Sequence, residues 1–202
     1  MAELPQERIV GLYEATAHDF DRARSRDLFE KLWLDRLAAT LPPGGAILDV
    51  GCGMAEPIAA YLIGLGFKVM GVDSSPTMIA LCRQRFPQAQ WIVADMRTLD
   101  VDRRFDGLLA WHSSFHLTQG DQRSLFPRFA AHIAPGGVLM FTSGDEAGER
   151  IGEWMGEPLY HASLAPQEYR TLLDENGFDI LDCRPRDPET GSATVWLARR
   201  RA

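Results

Sequence analysis

Short apolar runs alternate with helix-like segments through the middle of the chain. A continuous apolar run of this length suits a strand that is buried on both faces. We expect five such strands, at residues 46–50, 68–72, 91–94, 107–111 and 138–142. Between them lie segments with helical spacing or with helix-start signals such as Ser75-Pro76. Strands that alternate with helices through short glycine turns predict an α/β fold with a parallel sheet covered on both faces.

Further elements are predicted on either side of this alternation. A stripe of apolar residues at helical spacing predicts a helix over residues 21–40. Residues 145–164 show no clear period and are expected to be irregular. A last helix is predicted over residues 166–177, with a glycine as its C-terminal cap. The apolar runs 178–183 and 193–198 are expected to pair as an antiparallel hairpin.

The turn after the first predicted strand carries the strongest chemical signal. It reads Asp49-Val50-Gly51-Cys52-Gly53-Met54-Ala55-Glu56 and opens a predicted helix. Gly51 and Gly53 permit a tight turn and let a ligand approach the backbone without a side chain in the way. A lone Gly-x-Gly is weak evidence for a nucleotide site, so its meaning depends on the neighbouring strand ends.

Acidic residues stand at the ends of the next two predicted strands. Asp73 ends the second strand and is placed to accept both hydroxyls of a ribose that lies over the glycine turn. Asp95 ends the third strand and can accept a hydrogen bond from an adenine amino group, while Met96 packs on the ring. Each aspartate alone would be interpreted as a turn or helix cap. Together with the glycine turn, they predict an adenosine pocket at the carboxyl edge of the sheet.

Glu56 bears on which adenosine cofactor the pocket binds. A dinucleotide-binding fingerprint has glycine or alanine at this place, where a helix N-terminus faces a pyrophosphate. A carboxylate there would repel phosphate and would favour a ligand with a positive amino group or sulfonium. The residues therefore favour S-adenosylmethionine over NAD. An NAD-dependent oxidoreductase is the alternative.

Composition and charge narrow the range of partners and locations. The chain of 202 residues has a formal net charge of -7, which argues against a nucleic-acid backbone as partner. Its three cysteines are far apart and form no Cys-x-x-Cys pair, so neither a disulfide framework nor a thiolate metal site is indicated. We find no signal peptide and no membrane span, and expect no membrane partner and a cytoplasmic location.

The segment around the glycine turn resembles motif I of the class I S-adenosylmethionine-dependent methyltransferases, with Ala55 where glycine is common. Four further segments resemble the later motifs and strand regions of this family, in the same order: residues 69–78, 94–96, 105–111 and 133–139. The resemblance implies a Rossmann-like, doubly wound α/β sheet of seven strands in the order 3-2-1-4-5-7-6, with the last strand antiparallel. It also implies an enzyme that moves a methyl group from S-adenosylmethionine to a small-molecule acceptor by in-line displacement.

The resemblance further implies how one domain is divided and which residues bind the cofactor. Within residues 1–202, it implies an N-terminal helical lid at 1–40, a cofactor-binding core at 46–144, a substrate-side insertion at 145–165, and a final helix and hairpin at 166–202. The implied cofactor-binding residues are Tyr13, Asp49, Gly51, Gly53, Glu56, Asp73, Ser74, Met78, Asp95, Met96 and Trp111.

Two histidines follow the fourth predicted strand, where members of this family contact both cofactor and acceptor. His112 and His116 are candidate catalytic bases, with His112 ahead, and a structural histidine bonded to nearby backbone is the alternative. No third ligand follows at a recognisable spacing, so no metal site is predicted. Acceptor contacts are expected from Phe115, Trp154, Tyr160 and His161. A protein that binds the cofactor without catalysis is a third hypothesis, and the acceptor atom and the oligomeric state stay open.

Overall fold

The computed structural model describes residues 4–202. Its strands are β1 (Ala46–Val50), β2 (Lys68–Asp73), β3 (Gln90–Val93), β4 (Phe105–Ala110), β5 (Ile133–Ser143), β6 (Gly148–Trp154), β7 (Glu157–Ser163), β8 (Phe178–Asp187) and β9 (Ala193–Arg200). Its α-helices are α1 (Pro5–Ala15), α2 (Ala17–Ala23), α3 (Lys31–Thr40), α4 (Ile58–Gly64), α5 (Pro76–Arg85), α6 (Gln119–His132) and α7 (Pro166–Glu175).

Seven of these strands form one sheet, in the order β3-β2-β1-β4-β5-β9-β8. The pairs β1–β2, β1–β4, β2–β3 and β4–β5 are parallel. The last strand, β9, runs antiparallel to both of its neighbours, β5 and β8. Because β6 and β7 pair only with each other as a second small sheet, the main sheet has the predicted order 3-2-1-4-5-7-6, and the fold prediction is confirmed.

Helices bury both faces of the main sheet. On β1, Ile47 packs with Leu34 of α3 and Leu62 of α4 on one face. The next residue, Leu48, belongs to the cluster on the other face, which contains Phe126 of α6. Successive side chains of a strand point to opposite faces, so an uninterrupted apolar run is what a strand covered on both sides requires.

The prediction of one helix over residues 21–40 is wrong in its first half. The chain leaves α2 after Ala23 and enters α3 only at Lys31. Between them, the Arg26 guanidinium donates to the backbone carbonyls of Asp21 and Arg24, each at 2.7 Å. These bonds satisfy carbonyls at the end of α2, where intrahelical partners run out.

The prediction of an irregular segment over residues 145–164 is also wrong, because β6 and β7 form an antiparallel hairpin. Trp154 pairs with Glu157 across a two-residue turn. Both turn residues, Met155 (φ 53°) and Gly156 (φ 80°), have left-handed backbone conformations. Tight hairpin turns of the mirror-image type need a positive φ at both central positions, and methionine is an unusual residue there. The turn therefore escapes a search for Asn-Gly or Asp-Gly pairs.

The predicted cofactor site lies between the ends of the parallel strands and the N-terminal helices. The carboxyl ends of β1, β2, β3 and β4 meet at one edge of the sheet, and α1 and α2 lie over that edge. α1 contacts β7 and α5, and α2 contacts α5. Of the predicted lid over residues 1–40, residues 1–3 lie outside the described part of the chain. None of the helices between residues 4 and 202 is long and apolar enough to cross a membrane.

Candidate functional site

A cavity of about 380 Å³ lies between the carboxyl edge of the sheet and the N-terminal helices. The strand ends contribute Gly51, Gly53, Val72, Asp73, Ala94, Asp95 and His112 to its lining. Tyr13 of α1 and Phe20 of α2 close it from the opposite side. Ligand cavities in proteins occupy about 300–1,000 Å³, so this one is large enough for a small cofactor.

The glycine turn forms one wall of the cavity. The N–H groups of Gly51 and Cys52 donate to the carbonyl oxygen of Val72 at 2.7 and 3.0 Å, which fixes the turn against β2. Gly51 (φ 76°) and Gly53 (φ 53°) both have left-handed conformations. A Cβ atom on Gly51 would lie 2.3 Å from the Cβ of Ser113. Only glycine therefore fits at position 51, for reasons of both backbone conformation and space.

We expect Gly51→Ala to lower the free energy of unfolding by about 1–3 kcal/mol, the usual cost of overpacking a tight site. Thermal unfolding measures this effect. The matched control is Gly64→Ala in α4, where an added Cβ meets nothing within 4 Å. Alanine suits a helix better than glycine, so the control is expected to be as stable as the wild type or more stable. A Gly51→Ala protein with wild-type stability would show that Ser113 moves aside freely.

Asp73 holds the glycine turn to the end of β2. Its two carboxylate oxygens accept hydrogen bonds from the N–H groups of Gly53 and Ser75, each at 2.9 Å. Burial raises the pKa of the Asp73 carboxyl, although these backbone hydrogen bonds act in the opposite direction. Asp73 and Ser74 both line the cavity. Each carboxylate oxygen accepts more than one hydrogen bond, so Asp73 can still receive the hydroxyls of a ligand.

Asp95 lines the cavity at the end of β3 but already has a strong partner. Its carboxylate binds the Arg97 side chain, with the shortest contact 2.6 Å from Nη2 to Oδ2. It also accepts the Arg97 backbone N–H at 2.8 Å. Burial opposes ionisation of Asp95, but the hydrogen bonds from Arg97 outweigh it and lower the pKa of Asp95. An adenine amino group would therefore share oxygens that Arg97 already uses.

Polar contacts tie the N-terminal helices to the rest of the site. The Glu14 carboxylate at the end of α1 accepts hydrogen bonds from the Ser75 hydroxyl at 2.5 Å and from the Thr77 hydroxyl at 2.7 Å. These bonds lower the pKa of Glu14. Asp21 of α2 forms an ion pair with Arg85 of α5 at 2.6 Å. The cover of the cavity is thus attached to α5 at both of its helices.

His116 has both ring nitrogens engaged. Nδ1 lies 2.9 Å from the carbonyl oxygen of Tyr160, which accepts only, so Nδ1 carries the proton. Nε2 then accepts a hydrogen bond from the Tyr13 hydroxyl at 2.9 Å. Burial lowers the pKa of His116 to about 4, so the ring is neutral at pH 7. His116 therefore joins α1 to β7.

His112 faces the cavity with a strained backbone. It follows β4 with φ 47°, a conformation that costs a non-glycine residue about 1–3 kcal/mol. Its N–H donates to the Thr142 hydroxyl at 2.9 Å, which holds the backbone in place. Burial, together with the nearby charge of Arg24, lowers the pKa of His112 to about 4. A neutral imidazole at the cavity wall can act as a hydrogen-bond acceptor or as a base.

Glu56 does not lie where the sequence argument requires. Its carboxylate is 3.3 Å from Arg26 and 3.2 Å from Arg85, outside the lining of the cavity. These ion pairs link the α2–α3 connection and α5 to the segment that follows the glycine turn. The predicted contact of Glu56 with a positive cofactor group, and the argument against NAD that rested on it, are therefore not supported by its position.

Six other predicted residues also lie outside the cavity lining, which are Asp49, Trp111, Phe115, Trp154, Tyr160 and His161. Trp111 continues the alternation of β4 and packs with Leu109 on the α3 face of the sheet. Asp49 is buried, and burial followed by the charge of Asp73 raises its pKa to about 7. Trp154 packs beneath the lid and donates to the Thr16 hydroxyl at 3.0 Å.

The remaining three surround His116 without lining the cavity. Tyr160 is buried against α1 and supplies the carbonyl oxygen that His116 binds. The His161 ring lies 4.7 Å from that of His116 and 5.4 Å from that of Phe115, measured between centroids. These three residues form an aromatic cluster behind the cavity wall. An acceptor bound in the cavity would therefore not touch them through its lining.

The structure also brings residues to the cavity that the sequence argument missed. The main ones are Phe20, Arg97, Ser113, Leu117, Thr118 and Asp121. Thr118 caps α6 by accepting the N–H of Asp121 at 3.1 Å, and such a Thr-x-x-Asp helix start is recognisable in a sequence. Ser113 has no such signal, because its hydroxyl bonds to the distant carbonyl oxygen of Val50 at 2.8 Å. Between residues 4 and 202, no group of three or more His, Cys, Asp or Glu is arranged to hold a metal ion.

Two sequence comparisons relate this chain to enzymes of known activity. Trans-aconitate 2-methyltransferase of Variovorax paradoxus is 32% identical over 170 residues, which cover 77% of this chain and 61% of that protein. The dTDP-3-amino-3,6-dideoxy-alpha-D-glucopyranose N,N-dimethyltransferase of Streptomyces fradiae is 35% identical over 101 residues, which cover 49% of this chain and 39% of that protein. The matched regions thus span less than two thirds of either relative.

A solved structure and a family model agree with these relatives. The 1,6-didemethyltoxoflavin-N1-methyltransferase of Burkholderia thailandensis, solved with 1,6-didemethyltoxoflavin and S-adenosylhomocysteine, superposes with a TM-score of 0.76. The superposition covers 100% of this chain and 92% of that one at 20% identity, and shows that the fold is shared. Residues 47–137, which contain the glycine turn, Asp73 and Asp95, match a family model described as a methyltransferase domain. The chain belongs to the class I S-adenosylmethionine-dependent methyltransferases.

Proposed function

We propose that this protein transfers a methyl group from S-adenosylmethionine to a small-molecule acceptor. The observation that carries the proposal is the cavity, in which the glycine turn and two strand-end carboxylates face a lid made of α1 and α2. Tyr13 of α1 and Phe20 of α2 cover this cavity, which supports a small acceptor that the lid can enclose. The two relatives named above act on small molecules according to their names.

The lining of the cavity fits the parts of S-adenosylmethionine. Gly51 and Gly53 bring their backbone to the cavity without a side chain, and we assign Gly51, Gly53 and Tyr13 to the methionine end of the cofactor. Asp73 and Ser74 would hold the ribose, because the Asp73 oxygens keep free lone pairs. Asp95 and Met96 would lie at the adenine, and Met78 borders the same space.

The charge of the cavity favours a cationic cofactor over a dinucleotide. Among the residues that the structure describes, four carboxylates line it, those of Glu7, Asp73, Asp95 and Asp121, against one guanidinium, that of Arg97. S-adenosylmethionine carries a sulfonium and an ammonium group against one carboxylate, whereas NAD carries a pyrophosphate. Opposite charges attract strongly in a cavity that is partly shielded from water.

His112 is the residue best placed to handle a proton of the acceptor. The bound cofactor would supply a methyl group activated by its sulfonium, so the protein mainly has to orient the acceptor and exclude water. The lid residues Tyr13 and Phe20 cover the cavity and restrict the entry of water. The neutral His112 imidazole can accept a proton where the acceptor must lose one, whereas His116 is already bonded at both nitrogens.

Calorimetry with the purified protein tests the proposal. We expect saturable binding of S-adenosylmethionine and S-adenosylhomocysteine, and no binding of NADH at the same concentration. Binding of NADH alone would contradict the proposal and favour the oxidoreductase alternative. Binding of S-adenosylmethionine without transfer of its labelled methyl group to any member of a broad acceptor panel would favour a protein that binds the cofactor without catalysis.

A further inference from the structure

We infer that the acceptor of this enzyme is a neutral or cationic molecule and not a polycarboxylate. The inference rests on the proposed function and narrows its substrate class. It separates this chain from its relative that is named for trans-aconitate, a tricarboxylate. The charges that surround the cavity are predominantly negative.

The only cationic side chain among the described residues that line the cavity is Arg97. Its Nε lies 3.0 and 2.9 Å from the two Asp95 oxygens, and its Nη2 lies 2.6 Å from one of them. A carboxylate that binds a guanidinium in this bidentate way compensates its positive charge. Glu7, Asp73 and Asp121 add three further carboxylates to the lining. A bound polycarboxylate would therefore face an excess of charge of its own sign.

The arginines of the N-terminal segment do not change this balance, because each has a carboxylate partner. Arg8 pairs with Glu157 at 2.9 Å, Arg24 with Glu30 at 2.5 Å, Arg26 with Asp21 at 2.7 Å, and Arg22 with Asp19. The Glu30 carboxylate is almost fully buried, and a second oxygen of this group has no hydrogen-bond partner. Arg24 cannot leave Glu30 for an acceptor without stranding a buried negative charge.

The histidines do not supply positive charge either. His112 and His116 are neutral at pH 7, because burial lowers the pKa of each to about 4. Tyr13, beside His116, is neutral as well, since burial raises its pKa to about 12. When the cofactor is bound, its single excess positive charge balances only part of the carboxylate charge. The site as a whole then repels a trianion and tolerates a neutral molecule or attracts a cation.

The test offers trans-aconitate and a panel of amines and neutral hydroxyl compounds to the full-length protein with methyl-labelled S-adenosylmethionine. At about 1 mM acceptor, the upper end of common KM values, we expect no methylation of trans-aconitate above the rate without acceptor. Saturable methylation of trans-aconitate would overturn the inference. A methylated member of the amine or neutral panel would support it.

A binding experiment changes the charge carried by one carbon skeleton. Trans-aconitate and its neutral trimethyl ester share one carbon skeleton, and both are titrated into the protein saturated with S-adenosylhomocysteine. We expect the ester to bind at least about tenfold more tightly, because like charges brought together at a binding site cost affinity. A trianion that binds as tightly as the ester, or more tightly, would contradict the inference. If S-adenosylhomocysteine itself does not bind, the proposed function fails, which is a different result from methylation of trans-aconitate.

Discussion

Replacing His112 with alanine is expected to lower kcat by about 10²- to 10⁴-fold, the usual contribution of a positioned base. The imidazole lines the cavity and is neutral at pH 7. The backbone N–H of His112 donates to the Thr142 hydroxyl, which holds the residue just after β4. The effect is measured with an acceptor that loses a proton on methylation. The Kd of S-adenosylhomocysteine should change little, because the proposed cofactor contacts lie elsewhere in the cavity.

The matched control is His18→Ala, which removes an exposed imidazole from α2. It is expected to retain the wild-type kcat. The pH dependence offers a second readout, because the pKa of His112 lies at about 4 in the folded protein rather than near 6.5. A base with this pKa loses activity only as the pH falls towards 4, so kcat should show no limb near pH 6.5. A wild-type kcat in His112→Ala would reject the role of base.

Replacing Asp73 with alanine is expected to weaken cofactor binding by about 1–3 kcal/mol, the cost of losing hydrogen bonds to a charged group. Two effects add up in this variant. The proposed ribose contact is removed, and the N–H groups of Gly53 and Ser75 lose their acceptor. Calorimetry with S-adenosylhomocysteine measures the change in affinity.

Thermal unfolding of Asp73→Ala shows whether the variant loses cofactor affinity because the ribose contact is missing or because the fold is less stable. Asp73→Asn keeps one acceptor oxygen and should fall between the wild type and Asp73→Ala in cofactor affinity. The control Asp100→Ala removes an exposed carboxylate outside the cavity lining and should bind the cofactor normally. Unchanged affinity in Asp73→Ala would refute the ribose assignment. Equal losses in Asp73→Ala and Asp100→Ala would point to long-range charge as the cause.

The sequence identified the cavity-lining residues at the strand ends better than those from other elements. Gly51, Gly53, Asp73 and Asp95 follow buried strands directly, and all four line the cavity. Their placement follows from chain order, because a parallel sheet brings the carboxyl ends of its strands to one edge. Trp111 lies one residue beyond β4, and strand alternation turns it into the core instead.

Glu56 and His116 show what the motif alone does not reveal. The position of Glu56 in the motif predicts that its carboxylate faces the cofactor. In the structure this carboxylate instead forms ion pairs with Arg26 and Arg85, which lie 30 positions before and 29 positions after it. His116 and His112 look equivalent in the sequence. Both line the cavity, and the structure distinguishes them because both ring nitrogens of His116 are bonded, to Tyr13 and to Tyr160 of two other elements.

Local patterns along the chain determine the α/β class and the residues at the strand ends. The family resemblance that these patterns carry also determines the strand order. Apolar period and glycine turns act over a few residues, so they can be interpreted without knowing the fold. The β6–β7 hairpin and the break between α2 and α3 rest on contacts between residues that are close in the sequence. The balance of charges in the cavity depends on residues that are distant in the sequence, such as Glu7, Asp73 and Asp121. Whether Arg97 and the lid arginines are available to a ligand is set by the carboxylates that folding places beside them. Only the three-dimensional arrangement therefore shows that this cavity has little positive charge to offer an anionic acceptor.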